Sequence, residues 1–573
     1  MSNTRIPALA LAGAWVLALA LPAATSAQTP EQPQAAMAAP ETGIPVTDDT
    51  VRKACGGCHR PDDKQQMSRI SFRRTTPEGW ERTITRMISL NGLKIDATTA
   101  RAVVKSLSNS HGLAPEEARP TMYEVERRID DELNKPKDLA ETCDACHSLG
   151  RILYQRRTAP DWKLLIAMHR GFYPIIDRQT FRRSGPLSHE RDAEGRLPDE
   201  RHPSERAADY LGKAQGLESK EWAAWTAAMR PARIAGAWAL SGWEPGKGPV
   251  YGTVTLTQTG GATDEFTTQI AYTYARTGQQ VSREGRVTIY TGFQWRGRST
   301  MGGAADSALR EVMFVEPDWS KIEGRWFGGG YDELGLDVSL TRIGRDFTVV
   351  GLDHKALKAG GSGQTVKIYA ANPPASVTAR DLDFGAGITT TAASLAGNVI
   401  TATVDVAAGA AAGPRTLVAG TTTVPEAVAV YEKVDSIRVS PSWNMARTGG
   451  VVFPKRLAVF DAWGFSNGPD KKPGTDDDVR LDAVTAQWSL EEYKATLNDE
   501  DIKYVGAIDA ASGVFTPNVE GPNPERVGER NNIGDVWVVA SFTPAGASAP
   551  LKARSHLLVA PPLYIKFDPT VTP

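Results

Sequence analysis

The sequence has few cysteines and almost no excess of charge of either sign. It contains 573 residues with 4 cysteines, and 65 basic against 67 acidic side chains leave a formal net charge of −2. A protein that binds nucleic acid usually carries a basic excess, so this balance argues against that class. Glycine and proline, at 53 and 37 residues, stay below the share typical of disordered or collagen-like chains. The length predicts about three to four folded domains.

Long apolar runs are also lacking, apart from one at the start of the chain. A basic start precedes the apolar residues 7–21, and the small residues 23–27 follow. This order predicts a secretory signal peptide over residues 1–27, cleaved near Ala27. An uncleaved anchor is the alternative, but the apolar run is too short to span a bilayer comfortably. We therefore expect an exported, periplasmic protein without a membrane span, with a flexible lead-in over residues 28–45.

The cysteines fall into two C-x-x-C-H motifs, at Cys55–His59 and Cys143–His147. This is the attachment pattern of c-type haem, in which two thiols bond the vinyl groups and the adjacent histidine lies under the iron. A zinc site or a redox dithiol would not explain a histidine directly after the second cysteine in both copies. The predicted covalent attachment residues are Cys55, Cys58, Cys143 and Cys146, and the predicted proximal iron ligands are His59 and His147.

The cysteine count has a second consequence. All 4 cysteines belong to the haem motifs. We therefore expect no disulfide, no iron–sulfur cluster and no thiol nucleophile elsewhere in the chain. Chemistry that needs a further cysteine must then belong to another chain.

The two motifs head similar stretches of sequence, residues 46–115 and 135–220, which predicts two copies of one helical cytochrome unit. The segment Arg73–Trp80 in the first copy matches Arg156–Trp162 in the second. Each tryptophan follows a threonine, a proline and an acidic residue, so we expect each to lie near the start of a helix. The second copy carries an insertion at about residues 172–203.

Helical spacing predicts the distal iron ligands. Met87 and His169 each follow the matched tryptophan by seven residues, almost two turns, and so share its face of the helix. Thioether and imidazole are common sixth ligands of c-type iron, so we predict Met87 for one haem and His169 for the other. Such spacing is equally natural for a core methionine. The rival ligands are Met67 for the first haem, and Met168, His189 and His202 for the second. We expect His111, which aligns with Gln215, to be structural or at the surface.

This coordination favours electron transfer. Two six-coordinate irons leave no open position for a substrate, which argues against peroxidase or oxygen chemistry. A thioether ligand raises the reduction potential relative to imidazole, so we expect the two haems to differ in potential.

After the helical part, the pattern alternates with period two and is interrupted by glycine turns, which predicts sandwiches or barrels. We predict a multidomain protein: an N-terminal all-α dihaem cytochrome c domain at residues 46–230, then three all-β domains at 231–345, 346–434 and 435–573. The first β domain is rich in tryptophan and is expected to be an antiparallel barrel or sandwich. The last two are expected to be immunoglobulin-like sandwiches. One strand of the last is expected near Val451–Phe460.

Two further patterns are weak. The acidic run Asp470–Asp478 could bind calcium, but it does not fit an EF-hand loop, and we interpret it as a solvated turn. Gly328–Gly330 is interpreted as a turn and not a phosphate loop, because no Lys-Ser/Thr pair follows it.

The order of these parts resembles the α subunit of quinohemoprotein amine dehydrogenase over essentially the whole length. The residues that carry the resemblance are the motifs Cys55–His59 and Cys143–His147, the Arg-Arg-Thr segments after them, and the β-rich remainder. The resemblance implies a periplasmic heterotrimer with a β-propeller subunit and a small subunit that carries a cysteine tryptophylquinone. It also implies that primary amines reduce this quinone, and that two haems pass electrons to an external copper protein or cytochrome.

On this hypothesis the chain is the electron-transfer and scaffold subunit, with no catalytic residue of its own. The first alternative is a free-standing dihaem oxidoreductase such as a peroxidase, which would need an iron with a removable sixth ligand. The second is a secreted binding module whose cytochrome unit is a sensor. It predicts ligand binding by the β domains in the absence of partners.

Overall fold

The computed structural model describes residues 42–125, 139, 143, 149–173, 176, 193–194, 201–328, 334–494 and 499–562. Several predictions from the sequence lie outside these residues: the signal peptide, most of the lead-in and of the insertion, Cys146, His147, His189 and Gly329–Gly330.

The described helices lie almost entirely in the N-terminal part of the chain. They are α1 Asp49–Cys55, α2 Pro77–Asn91, α3 Ala97–Ser110, α4 Pro115–Ala118, α5 Gly150–Leu153, α6 Ala159–Phe172, α7 Pro203–Ala214, α8 Lys220–Ala228 and, near the C-terminus, α9 Asp501–Tyr504. Short 3₁₀ turns lie at Arg119–Thr121, Ala305–Ser307, Ala379–Asp381 and Val527–Glu529.

Helices α2 and α6 begin in the same way. The N-cap Thr76 accepts a hydrogen bond from the Gly79 N–H, and Thr158 accepts one from the Asp161 N–H. Each cap residue satisfies a backbone donor that the first helical turn leaves open, and a proline in the first turn provides the helical φ in advance. Helix α2 ends at Asn91, and the next residue, Gly92, has a φ of 71°, the left-handed conformation typical of a helix terminus.

The N-terminal region also contains β structure, so the all-α prediction holds only in part. Strand β1, Arg73–Thr75, pairs antiparallel with β2, Gln155–Arg157. These strands are the residues just before α2 and α6. Because the two copies meet here, their backbone groups satisfy each other, which the sequence of either copy alone could not reveal.

The next region forms a closed barrel of eight antiparallel strands. The strands are β3 Gly236–Glu244, β4 Gly248–Gln258, β5 Glu265–Tyr274, β6 Gln280–Tyr290, β7 Gln294–Thr300, β8 Leu309–Val315, β9 Lys321–Gly328 and β10 Gly335–Arg342. Strand β10 closes the barrel, because Leu340 pairs with Leu240 on β3 and with Ile322 on β9. Of the two alternatives from the sequence, barrel and sandwich, the structure has the barrel.

The barrel interior is filled by aromatic and aliphatic side chains. Trp238, Trp295 and Trp326 belong to its buried cluster, as expected for a small barrel whose inside is a packed core. Trp243 has a different role: its Nε1 donates to Asp461 Oδ2 at 2.8 Å, so it links the barrel to a later β region.

One carboxyl group lies in this interior. Glu311 on β8 is 0% exposed, and its Oε2 accepts a hydrogen bond from Trp295 Nε1 at 3.0 Å. Burial raises the pKa of Glu311 from 4.5 to about 7, against the smaller lowering effects of hydrogen bonds to Ser299 and Trp295 and of the Arg283 charge. The Glu311 carboxyl group therefore binds its proton more tightly in the folded chain than in the unfolded chain.

We expect stability to fall between pH 5 and pH 8 by more in the natural chain than in a Glu311→Gln variant. A raised pKa stabilises the fold below about pH 4.5, and this stabilisation is lost as pH rises through about 7. At about 1.4 kcal/mol per pKa unit, the two proteins should diverge by roughly 3 kcal/mol. Denaturant unfolding at several pH values measures this. Glu284→Gln, at an exposed position on β6, is the control, and parallel pH curves for the natural and Glu311→Gln proteins would contradict the prediction.

The region after the barrel forms two four-stranded sheets, β11-β13-β16-β15 and β12-β18-β17-β14. The strands are β11 Thr348–Leu352, β12 Ala356–Lys358, β13 Gln364–Ala371, β14 Leu382–Asp383, β15 Ile388–Ala396, β16 Val399–Val406, β17 Gly413–Ala419 and β18 Thr422–Tyr431. One core contains Ile368 from the first sheet and Leu417 from the second. The pairing of β12 with β18 is parallel.

The last region has sheets of three, four and three strands, β19-β22-β23, β20-β28-β27-β24 and β21-β26-β25. The strands are β19 Ser436–Ser440, β20 Trp443–Arg447, β21 Ala458–Val459, β22 Asp461–Ser466, β23 Val479–Val484, β24 Gln487–Glu492, β25 Gly506–Ile508, β26 Val514–Pro517, β27 Gly534–Phe542 and β28 Leu551–Ala560. The immunoglobulin-like assignment of the last two regions stays a prediction.

The strand predicted near Val451–Phe460 is wrong over most of its length, since only Ala458–Val459 pairs as a strand. The Glu520 Oε1 atom accepts the N–H of Val451 at 3.2 Å and that of Val452 at 2.6 Å. These donors are therefore held by a side chain from a distant part of the sequence, and the apolar pattern alone could not show it.

The helical region is fixed on the barrel by buried polar contacts. Glu78, in the first turn of α2, forms an ion pair with Arg296 on β7, and both side chains are buried. Asn109 Oδ1 on α3 accepts the Thr291 N–H at 2.8 Å. A buried polar group that loses its partner costs free energy, so these pairs fix how the helices lie on the barrel.

Candidate haem sites in two matched repeats

The two copies predicted from the sequence repeat the same hydrogen bonds. Trp80 Nε1 donates to the His111 carbonyl at 3.1 Å, and Trp162 Nε1 donates to the Gln215 carbonyl at 3.0 Å. His111 and Gln215 each follow the end of a helix, α3 and α7, and their φ angles are −129° and −127°. The copies therefore share a fold beyond their motifs.

The strand pairing shows how the copies are related. Thr76 and Thr158 cap equivalent helices, so they are equivalent residues, and Arg74 is equivalent to Arg156. Aligning the Arg-Arg-Thr letters of the sequence would instead have matched Arg73 with Arg156. In the ladder Arg74 lies opposite Arg156, that is, opposite its own counterpart. A pair of this kind lies on a local two-fold axis, which relates one copy to the other.

The buried Arg74, the half-buried Arg156 and the buried Glu117 lie at this axis. Arg74, 0% exposed, donates Nη1 to Glu117 Oε2 at 2.7 Å and Nη2 to Glu117 Oε1 at 3.0 Å. Arg156 donates Nε to the same Glu117 Oε1 at 3.2 Å. Burial alone would raise the pKa of Glu117, but its hydrogen bonds with Arg74 and the charges of both arginines keep that pKa below its ordinary value. Glu117 is therefore an anion that holds both copies together.

The first C-x-x-C-H motif lies at the end of α1. The N–H groups of Cys58 and His59 both donate to the Cys55 carbonyl, at 3.2 and 2.9 Å. The His59 Nδ1 lies 3.2 Å from Ser68 Oγ. A hydrogen bond at Nδ1 orients the ring and leaves Nε2 to bind a metal, as is usual for ligating histidines. The Cys55 and Cys58 thiols are not joined in a disulfide. Burial raises the pKa of the Cys55 thiol, and the charge of Cys58 adds a smaller increase.

Met87 lies near the end of α2, one turn after the buried Ile84, and is half-buried. Trp80 and Ile84 belong to an apolar cluster against which Cys55 packs, so this face of α2 turns towards the first motif. The rival Met67 is 0% exposed within the same cluster. Met67 therefore has the surroundings of a core methionine, and Met87 remains the predicted ligand.

The second site is described only in part. Cys143 packs against an apolar cluster that includes Trp162 and Leu165 of α6. His169 Nδ1 lies 2.8 Å from the Leu165 carbonyl, which fixes that nitrogen as the donor and leaves Nε2 as the nitrogen able to bind iron. Burial lowers the pKa of His169 despite this hydrogen bond, and the neutral imidazole is the form that binds a metal.

The remaining candidates have other contacts. Met168 packs against the apolar cluster of the second copy. His202 is the N-cap of α7, and its Nδ1 accepts the Ser204 N–H at 3.2 Å. His111 is buried, with Nε2 3.3 Å from the Ile44 carbonyl, and burial lowers its pKa to about 4. Of the two possibilities for His111, the structure shows the structural one.

Apolar side chains on the two ligand helices are exposed beside the candidate ligands. Ile88 and Leu90 on α2 are 45% and 51% exposed, and Leu164 and Phe172 on α6 are 54% and 49% exposed. Large apolar side chains exposed close together on one helix, as Ile88 and Leu90 are, favour a binding site for an apolar partner. A porphyrin is such a partner, so these faces fit the haem groups that the motifs predict.

Sequence reasoning missed two arginines beside these helices. Arg73 and Arg86 both donate to Thr83 Oγ1, the Arg86 Nη2 at 3.3 Å. Each has a buried Nε without a hydrogen-bond partner. The doubled Arg-Arg-Thr segment and the position of Arg86 beside Met87 were visible in the sequence, but the burial of Arg73 and of the Arg86 Nε was not.

The acidic loop at residues 470–478 satisfies its own backbone. Asp470 Oδ1 accepts the Lys472 N–H at 2.8 Å, and Asp477 Oδ2 accepts the Asp470 N–H at 3.0 Å. Among the described residues, no group of three or more His, Cys, Asp or Glu side chains is placed to hold a metal ion.

Models of known families match three parts of the chain. The haem-binding model of quinohemoprotein amine dehydrogenase A, alpha subunit, matches residues 46–186. The models of alpha-subunit domains II and IV match residues 231–343 and 437–570. Together the three matches span about two thirds of the chain. The chain belongs to the quinohemoprotein amine dehydrogenase α-subunit family.

The family is that of a subunit of a multisubunit oxidoreductase, and the match to its haem-binding domain supports a role of this chain in electron transport. A search among curated proteins found no match. Within the described residues, no helix combines the length and apolar character that crossing a membrane requires.

Several solved structures show weak similarity to this chain. A redesigned β-barrel is 13% identical and covers 19% of this chain and 92% of its own, with a TM-score of 0.17. A de novo designed fluorescence-activating β-barrel is 14% identical, covers 19% and 93%, and has a TM-score of 0.16. The extracellular region of plexin A4 is 7% identical, covers 56% of each chain and has a TM-score of 0.13. Similarity of this degree says nothing about function.

Proposed function

We propose that this chain is the dihaem electron-transfer and scaffold subunit of a periplasmic amine dehydrogenase. The observation that carries this proposal is the pair of C-x-x-C-H motifs, one in each of two structurally matched repeats, within a haem-binding domain of this family. Haem c, when bound, supplies one-electron transfer at its iron.

The residues of the first repeat fit such a group. Cys55 and Cys58 would form the thioether bonds, and His59 would bind the iron through Nε2 because Ser68 occupies its Nδ1. Met87 would complete the coordination from α2. Trp80 and Ile84 exclude water from the same side of that helix, which favours a defined reduction potential.

In the second repeat Cys143 and Cys146 would attach the haem and His147 would be the proximal ligand. His169 would be the distal ligand, since its hydrogen bond to the Leu165 carbonyl orients the ring. Two irons held in this way have no vacant position, which supports transfer of electrons and not reaction with a substrate.

The absence of a spare cysteine supports a catalytic site on another chain. A cysteine tryptophylquinone requires a cysteine, and all 4 of this chain belong to haem motifs. We propose that a small partner subunit carries this quinone, that a β-propeller subunit completes a heterotrimer, and that an external copper protein or cytochrome accepts the electrons. We also propose that a cleaved signal peptide over residues 1–27 directs the chain to the periplasm.

The test is the native mass and subunit content of the haem-containing species, purified gently from its own periplasm. Co-purification with a propeller-sized chain and a small chain with quinone absorbance is the expected result. A species that contains this chain alone, turns over peroxide and shows high-spin haem would overturn the proposal in favour of a dihaem peroxidase.

Replacing Met87 with alanine should remove the weak far-red absorption band that marks thioether ligation of ferric haem. The reason is that alanine offers no sulfur to the iron while the covalent attachment through Cys55 and Cys58 stays intact. Absorption spectra of the oxidised protein measure this. Met67→Leu, a substitution of similar volume in the core, should keep the band. Loss of the band in Met67→Leu and its survival in Met87→Ala would reverse the assignment.

A further inference from the structure

Arg73 and Arg86 form a pair of guanidinium groups with no anionic partner among the described residues. Arg73 is 4% exposed; it donates Nη1 to Thr83 Oγ1 and Nη2 to the Gly79 carbonyl, the latter at 3.3 Å. The half-buried Arg86 donates Nη2 to the same Thr83 Oγ1 at 3.3 Å. Two cations thus share one neutral hydroxyl group, and we call them the arginine pair.

Other buried arginines of the region differ from this pair. Arg74 is neutralised by Glu117 and Arg157 by Asp161. Asp161 Oδ1 also forms an ion pair with Arg69 Nη1, at 2.8 Å. Nearby carboxylates are therefore already engaged by other arginines.

The unpaired charge needs a partner. Burial of a cation without a counter-ion is costly, and each member of the arginine pair also keeps one buried Nε–H without an acceptor. Burial, followed by the charges of Arg157 and Arg86, lowers the pKa of Arg73 well below its ordinary value. An anion with several oxygens would supply both the missing counter-charge and acceptors for the Nε–H groups, because guanidinium groups bind carboxylates in a fork geometry.

The position of the pair indicates which anion this is. Arg86 is the neighbour of Met87 in α2, and Thr83 lies one turn before it. Arg73 lies on β1 opposite Arg157 of β2, the strand that directly precedes the helix with His169. The arginine pair therefore lies where the two repeats meet, next to the proposed ligand Met87.

We propose that Arg73 and Arg86 bind haem propionates at the junction of the two repeats. The inference rests on the proposed function, since it requires haem in this region. A cation beside a haem favours the reduced iron over the oxidised iron, because reduction removes one positive charge. The arginine pair therefore raises the reduction potential of at least one haem.

The experiment measures both midpoint potentials by spectroelectrochemistry in the purified native protein, together with its covalent haem content. Arg86→Gln should keep the haem content and lower at least one midpoint potential. We expect roughly a tenfold loss in the reduction equilibrium, about 59 mV for one electron. Arg86→Lys, which keeps the charge but not the fork, should restore most of the potential. Arg101→Gln, at an exposed position on α3, is the matched control and should change neither potential.

The outcomes separate this inference from the proposed function. If Arg86→Gln carries its full covalent haem and both potentials equal those of the natural protein, the propionate assignment is wrong while the haem function stands. An equal fall in Arg86→Gln and Arg86→Lys would also contradict it, because the effect would then not follow the charge. A natural protein without covalent haem would overturn the proposed function itself.

Discussion

Replacing both Cys55 and Cys58 with serine should halve the covalently bound haem of the chain. Serine cannot form the thioether bonds, so the first repeat would lose its haem while the second would keep its own. Haem staining after denaturing electrophoresis and quantification of haem per chain measure this directly. The natural protein should contain two covalent haems and the variant one.

The second motif provides the matched variant. Replacing Cys143 and Cys146 with serine should also leave one haem, but this haem would belong to the first repeat and its spectrum should differ from that of the second. The species that keeps the first repeat should show the far-red band of thioether ligation, and the species that keeps the second should lack it. Unchanged haem content in either double variant would contradict the assignment of that motif.

Glu117→Gln should destabilise the haem-binding region by about 3–5 kcal/mol, the usual cost of removing one partner from a buried ion pair. The substitution keeps the shape of the side chain but leaves Arg74 and Arg156 without their shared anion. Because these arginines belong to the two strands that join the repeats, both repeats should lose stability together. Denaturant unfolding followed by haem absorbance measures the change.

The neighbouring glutamate is the control for this prediction. Glu116 is exposed while Glu117 is buried, so Glu116→Gln removes the same charge from the same short helix without touching the arginines. Its effect should stay within about 0.5 kcal/mol, as for most surface substitutions. Equal unfolding midpoints for the two variants would contradict the role of Glu117 at the local two-fold axis.

The sequence predicted those parts of the molecule that local rules determine. The starts of α2 and α6 follow from Thr76 and Thr158, whose side chains cap the helices they precede. The alternating pattern after the helices predicted β structure, and the first β region is a closed barrel and not a sandwich. The resemblance to the quinohemoprotein amine dehydrogenase α subunit is confirmed by the family matches.

The features that the sequence did not predict depend on partners far along the chain. Arg74 is buried because Glu117 lies opposite it, and arginine is normally read as a surface residue. The segment at Val451 is a loop because its backbone donates to Glu520. The distal ligands Met87 and His169 stay predictions, supported by the faces on which they lie and by the hydrogen bond that orients His169.

The proposed function requires that electrons from an amine reach the haems of this chain. The most direct measurement mixes the purified native complex with a primary amine in the absence of oxygen and follows the haem absorption. We expect the spectrum of reduced c-type haem to appear in the natural protein, and to appear only partly in the Cys55→Ser/Cys58→Ser variant. Amine oxidation by the complex while both haems of the natural protein stay oxidised would contradict it.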